Sequence, residues 1–441
     1  MRLLHLFALI SALLLGSPAA LHAQANPDEQ SILASREGDI LAVLQGKRAA
    51  SEVFNQTFIQ AVPPQRLAAI ISQIEAQHGK LTGAEPGRAL GPGTAQMTLH
   101  FQRADAAAVF ELDADFPRRV SGLRILAIET AAAKANTRKA APAITKSAAE
   151  EAAALPGKVG YLVARLDQGG PVVIEARQAD QLFAIGSAFK LWVLDAVAEE
   201  VAKGHLSWSQ VVPLGPRSLP SGITQDWPAG TPMTVQSLAI LMISISDNTA
   251  TDTLIRLVGR DKVEARVRAS GHAQPGALHP FLTTSEAFRL KLAPPAAREA
   301  YVLGQGDARL KAVTALPAGI DITSADLAAL ASGKPVAIDS IEWFASPSDL
   351  ARVLDLLRRR GDSQVLAILE TSTSRRSDIR QGFSRVGYKG GSETGVLNYS
   401  WLLQRPSGPW YVVTVSWDNP AAAVDQSRLE ALALRLFEKT T

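Results

Sequence analysis

Three short patterns place residues with chemical capacity at fixed spacings: Ser187-x-x-Lys190 in AIGSAFKLWVLDA, Ser246-Asp247-Asn248 in SISDNTATDTLI, and Lys389-Gly390-Gly391 in VGYKGGSETGVL. A hydroxyl three residues before an amine is a nucleophile with a base in reach. On an α-helix the two are separated by a rise of about 4.5 Å and a turn of about 60°. The amine serves as base only if burial and neighbouring positive charge lower its pKa. A helix start would add free N–H groups and the positive end of the helix dipole, which suit an oxyanion beside the serine. Alone, such a pair is uninformative, since roughly one or two Ser-x-x-Lys spacings arise by chance in a chain this long. The three patterns together, in this order, on a helix start, a helical junction and a terminal strand, are much harder to obtain by accident.

The elements that must position them are legible around them. Phe189, Trp192, Val193, Ala196, Val197 and Val201 recur at helical spacing, so a helix is expected from Ser187 to about Lys203, ended by Gly204. Before it, KVGYLVARLD and PVVIEARQ alternate as two strands joined at Gln168-Gly169-Gly170. At the far end FSRVGYKGG, GVLNYSWLLQ and PWYVVTVSWDN predict three more strands, and AVDQSRLEALALRLFEK a closing helix. Strands at both ends with helices between predict one antiparallel five-stranded sheet over residues 156–441, backed by terminal helices, with an all-helical subdomain beside it.

The first part of the chain reads differently. Residues 28–78 carry helical periodicity, broken at Pro63-Pro64 and closed by Gly79, so two or three helices are expected. From Thr94 the period becomes two, with Met97, Leu99 and Phe101 alternating, followed by AAAVFELD and VSGLRILAIE as antiparallel strands. This predicts a small α+β domain over residues 26–130. Residues 131–155, Ala-rich and charged, read as a linker. Residues 1–25, with Arg2, an apolar run from Leu6 to Leu15, a Gly16-Ser17-Pro18 break and small residues at Ala23 and Ala25, read as a cleavable secretory signal peptide. The apolar run is too short to span a bilayer.

Composition narrows the function. The 441 residues carry a net charge of +3 with no basic stripe among aromatics, so no nucleic-acid partner is expected. With no Cys, an exported chain has no disulfide, no cysteine nucleophile and no lipoprotein anchor, and a periplasmic or secreted location is expected. The seven His, among them His205, His272 and His279, form no H-x-H or H-E-x-x-H grouping, so neither a metal nor another cofactor is expected.

At Ser187, Lys190, Ser246, Asn248 and Lys389 the chain resembles the serine β-lactamases and penicillin-binding proteins, specifically class A β-lactamases, over roughly residues 156–441. The likeness extends across SGITQDWPAGTPMTVQSLAILMISISDNTATDTLI. It implies that Ser187 becomes acylated while Lys190 takes or relays its proton, and that Ser246 passes a proton to the departing nitrogen. It further implies that Asn248 and Lys389 bind the substrate amide and carboxylate, beside Gly391. The backbone N–H groups of Ser187 and Ser392 would form an oxyanion hole. The family releases its acyl group with a Glu-activated water, for which Glu286 in PFLTTSEAFRLKL is the candidate; Leu290 stands where the family has Asn, and a helix-start reading of Glu286 competes. The family's Lys-Thr-Gly or Lys-Ser-Gly is Lys389-Gly390-Gly391 here, and residues 273–345 are longer than the family's loop. Arg380 and Arg385 precede the last pattern and could meet a carboxylate or simply face solvent. The first domain's element order resembles the cone-shaped fold of nuclear transport factor 2 and ketosteroid isomerase, with packing or dimerisation as the plainer role. The implied activity is β-lactam hydrolysis, as in antibiotic resistance. An esterase or D,D-peptidase on the same fold, or a penicillin sensor or peptidoglycan binder that stays acylated, stand as alternatives; the oligomeric state is open.

Overall fold

In the computed structural model, residues 27–440 are described apart from 92, 114–116, 131–146, 317–321, 323–325, 327–329, 331–333, 373–381 and 407. The expected signal peptide, most of the expected linker and Arg380 lie outside the described residues. The chain divides into two units, Met1–Thr145 and Lys146–Thr441.

In the first unit, Pro27–Leu44, Ala50–Val53, Gln56–Ala61 and Pro64–His78 are helical. Pro64 opens the last of these, where its missing N–H costs nothing, and Gly79 ends it at φ +82°. Four strands follow as an antiparallel meander in chain order: Leu81–Gly91, Thr94–Phe101, Ala104–Leu112 and Val120–Thr130. Ala95, Met97, Leu99 and Phe101 are buried in alternation and share a core with Leu33, Ile40, Leu67 and Ile71 from the helices and with Phe54, just past the second helix. The Leu81–Gly91 strand was not expected. Its LTGAEPGRALG sequence carries three Gly and a Pro, which is tolerable because the strand is at the sheet edge and its register shifts twice around Ala89.

In the second unit the sheet has the expected five antiparallel strands. Their order across the sheet is Arg385–Glu393, Val396–Gln404, Trp410–Asp418, Lys158–Asp167 and Gly170–Arg177. Both faces are covered. Along the Lys158–Asp167 strand, Val159, Tyr161 and Val163 enter a core with Leu429, Leu432 and Leu436 of the Gln426–Glu438 helix. The alternating Leu162, Ala164 and Leu166 enter the core built by the inner helices, among them Lys190–Ala202, Val235–Ser244, Asn248–Val258 and Pro347–Arg359. Two-sided burial explains why that strand reads as a nearly continuous apolar run. The expected linker is shorter than residues 131–155. Ser147 and Glu150 form a capping box for a helix over Ala148–Ala153, and Ala148, Ala152 and Leu155 are buried against the sheet. Among the described residues no helix is long and apolar enough to cross a membrane.

The expected helix at Ser187 begins later. Gly186–Phe189 is a 3-10 turn and the α-helix runs Lys190–Ala202. Ser187 therefore stands just ahead of the helix, with its turn tightened, and the α-helical geometry does not apply to the Ser187–Lys190 pair.

Candidate active site

Ser187 is half-buried in a cleft of about 410 Å³ whose walls include Ser246, Asn248, Tyr388, Lys389, Gly391 and Ser392. Its Oγ has no hydrogen-bond partner among the described residues. Phe189 packs behind it, stacked on Trp343 at 3.9 Å between ring centroids, so Ser187 stands on a rigid apolar floor.

Lys190 is fully buried and donates to Ser246 O at 2.7 Å, Ser246 Oγ at 3.0 Å and Asn248 Oδ1 at 2.7 Å. Burial first, and then the charge of Lys389, holds its pKa well below the ordinary lysine value, against the pull of Asp252 and Asp247. Lys389, on the edge strand, is buried and donates to the same Ser246 Oγ at 3.1 Å; burial lowers its pKa to about 7. One hydroxyl thus lies between two amines of weakened proton affinity, a short path along which a proton can move.

Ser246 occupies the connection between two helices at φ +60°, a left-handed conformation that costs a serine about 1 kcal/mol or more. Its neighbours hold it there. Lys190 and Ser221 Oγ both donate to its carbonyl. Asp247, fully buried, caps the Asn248–Val258 helix through Ala250 N and also accepts from Ile223 N, Thr224 N and Thr224 Oγ1. The Ser-Asp-Asn pattern is therefore a cap as well as a site, and its Asp ties the connection to the 221–224 loop. Asn248 Nδ2 donates to Leu219 O, which leaves Oδ1 turned toward Lys190.

Gly391 and Gly186 let the edge strand press against the serine turn. A Cβ on Gly391 would lie 2.0 Å from Ile185 O and 2.5 Å from Ser187 N, and one on Gly186 would lie 2.9 Å from Ser392 N. This contact brings the amides of Ser187 and Ser392 to one place, as an oxyanion pocket needs. Gly391→Ala is expected to wedge strand and turn apart and slow acylation by roughly 10²–10³-fold, measured as single-turnover acylation by a reactive ester.

Glu286 is not part of this cleft. One carboxylate oxygen accepts from Thr283 N in a capping box for the Thr284–Leu292 helix, and the other takes Arg260 Nη2 at 2.6 Å. It lines a separate depression with Arg256, Arg260 and Arg289. The helix-start reading of Glu286 accounts for its position, and the water-activating one does not. Arg385 pairs with Glu370 and stacks near Trp410, also away from the cleft.

Three groups entered the site without a sequence expectation. The Tyr388 hydroxyl would be 2.2 Å from a Cβ on Gly390, so it fills the space a side chain there would take. Glu342 and Glu393 both line the cleft and both pair with the buried Lys291 ammonium. Tyr388 and Glu393 sit on the strand of the third pattern, which was the available signal; Glu342, at the end of the long loop region, offered none. Among the described residues no three His, Asp or Glu side chains are grouped to hold a metal ion.

The five-stranded sheet and its inner helices bring Ser187, Ser246 and Lys389 to one cleft, with Lys190 bonded to Ser246, on the fold of a serine hydrolase family. The model of a family described as the beta-lactamase enzyme family matches residues 142–437, and the chain belongs to that family. Among curated proteins it resembles β-lactamase VEB-1 of Pseudomonas aeruginosa, 32% identical over 93 residues; the match spans 20% of this chain and 31% of that one, under a third of its length. Among solved structures it is similar to a β-lactamase from Sphaerobacter thermophilus, with 24% identity, TM-score 0.45 and coverage of 66% of this chain and 94% of that one. It is also similar to a point mutant of PBP-A, solved as an acyl-enzyme complex with penicillin G, with 18% identity, TM-score 0.43 and coverage of 64% and 90%.

Proposed function

We propose that the chain opens the amide bond of a β-lactam ring through an acyl-Ser187 intermediate that water then releases. The observation that carries this reading is the Ser246 hydroxyl held between Lys190 and Lys389 in the cleft that Ser187 also lines, where Ser187 Oγ has no hydrogen-bond partner among the described residues. Lys190, in its neutral form, takes the Ser187 proton as Oγ attacks the ring carbonyl. The oxyanion is met by the Ser187 and Ser392 amides. The proton passes through Ser246 to the departing ring nitrogen, and Lys389 receives the substrate carboxylate. Work outside the cytoplasm, from the signal-like residues 1–25, belongs to the same proposal.

A second reading, an esterase or D,D-peptidase on the same fold, is favoured by Gly390, which brings no hydroxyl of its own next to Lys389. The two separate in one experiment: incubate the purified chain with benzylpenicillin or p-nitrophenyl acetate and follow intact mass. A penicilloyl adduct that forms and decays with turnover supports the lactamase. A persistent adduct supports a peptidase or sensor, and no adduct with rapid ester cleavage supports the esterase.

A further inference from the structure

The Ser187 cleft needs a second proton acceptor if acyl-Ser187 is to be released by water, because a neutral water attacks an ester slowly without one. Glu286 is bound elsewhere, to Thr283 and Arg260. Successive side chains of a strand point to opposite faces, so Lys389, Gly391 and Glu393 share one face of the edge strand. Gly391 abuts Ser187 N, while Lys389 and Glu393 stand about 6.8 Å along the strand on either side. The serine is thus flanked by an amine on one side and a carboxyl on the other. Lys291 Nζ, itself buried, holds both Glu393 and, at 2.9 Å, Glu342; Glu342 is fixed further by Trp343 N at 3.2 Å. Of the two carboxyls Glu393 is the more open to the cleft, its side chain 18% exposed against 3% for Glu342.

We propose that Glu393 is the general base that activates the water releasing the acyl group from Ser187, with Lys291 and Glu342 as positioning residues. This rests on the acyl-Ser187 reading above. The water oxygen bonds to the acyl carbon as one of its protons moves to the Glu393 carboxylate. The bond from carbon to Ser187 Oγ then breaks, Oγ takes up that proton through the cleft, and the product leaves as a carboxylic acid. Burial first, then the adjacent Glu342, raises the proton affinity of Glu393 against the opposing charge of Lys291, which makes its carboxylate a stronger base than an ordinary surface one.

The test is Glu393→Gln in the full chain, with benzylpenicillin and p-nitrophenyl acetate as acyl donors and intact mass as the readout. The variant is expected to acylate at close to the parent rate and to hold the adduct about 10²–10⁴-fold longer. Hydroxylamine, a nucleophile that needs no base, is expected to discharge the trapped adduct. Glu342→Gln is expected to prolong the adduct less, and Glu286→Gln not at all. Adduct decay at the parent rate in Glu393→Gln overturns the proposal. Loss of acylation together with deacylation would also overturn it, by showing a structural role. Should the parent chain neither hydrolyse nor form an adduct with either donor, the acyl-Ser187 reading falls and this inference with it.

Discussion

Ser187→Ala is expected to abolish both the covalent adduct and turnover, with hydrolysis falling at least about 10⁴-fold, as loss of a serine nucleophile does where the rest of the site survives. The loss should be purely chemical. Ser187 Oγ has no hydrogen-bond partner within the described chain, and the turn that carries it is held by Phe189, Trp343 and the Gly391 contact. Removing one partly exposed oxygen there should change stability by no more than about 0.5 kcal/mol. Thermal unfolding of parent and variant should therefore coincide while the mass adduct disappears. Turnover that survived in a well-folded Ser187→Ala chain would remove the acyl-enzyme from the mechanism altogether.

Lys190→Met carries the second large effect, because it keeps the length of the side chain and removes only the amine. Acylation is expected to slow by about 10²–10⁴-fold, the usual contribution of a general base. The pH profile is the sharper readout. Lys190 works only when neutral, and burial with the Lys389 charge lowers its pKa, so acylation in the parent should rise with pH as Lys190 loses its proton. That rising limb should vanish in Lys190→Met. Lys389 acts in the opposite sense, since it binds a carboxylate only while charged. For carboxylate-bearing substrates kcat/KM should therefore fall as pH rises through about 7. The fall should be absent for a neutral ester.

The same two lysines make a stability prediction of fixed sign. Lys389 loses its proton near pH 7 when folded but only near 10.5 when unfolded, and Lys190 shifts in the same direction. Between those values the unfolded chain binds more protons, so this part of the stability rises with pH across that interval. Replacing both by Met should flatten the rise in denaturant unfolding measured from pH 7 to 10.

Much of the second unit was legible because its signals are local. Alternation along KVGYLVARLD and PWYVVTVSWDN, the helical stripe from Phe189 onward and the Gly204 stop each lie within one element. The misses share a cause. The 3-10 turn at Gly186–Phe189 is set by Gly391 pressing on Ser187 N from a strand two hundred residues later, which no helical pattern encodes. Glu286 carried the right residue type in a plausible place, but Arg260 and Thr283 claim both of its oxygens. The Ala148–Ala153 helix looked like linker because its small side chains are weak signals until a sheet buries them.

By itself the sequence determined which residues could react and in what order they come: Ser187, Lys190, Ser246, Asn248 and Lys389, each in a pattern no longer than a helical turn or a strand end. Only the tertiary structure decided what surrounds them. Lys190 meets Ser246 across 56 residues, Lys389 meets the same hydroxyl across 143, and Lys291 gathers Glu342 and Glu393 across 51 and 102. The physical reason is range. Periodicity and capping act over a few residues, whereas burial, pKa and the direction in which a carboxyl faces are set by whatever distant segment the core brings alongside.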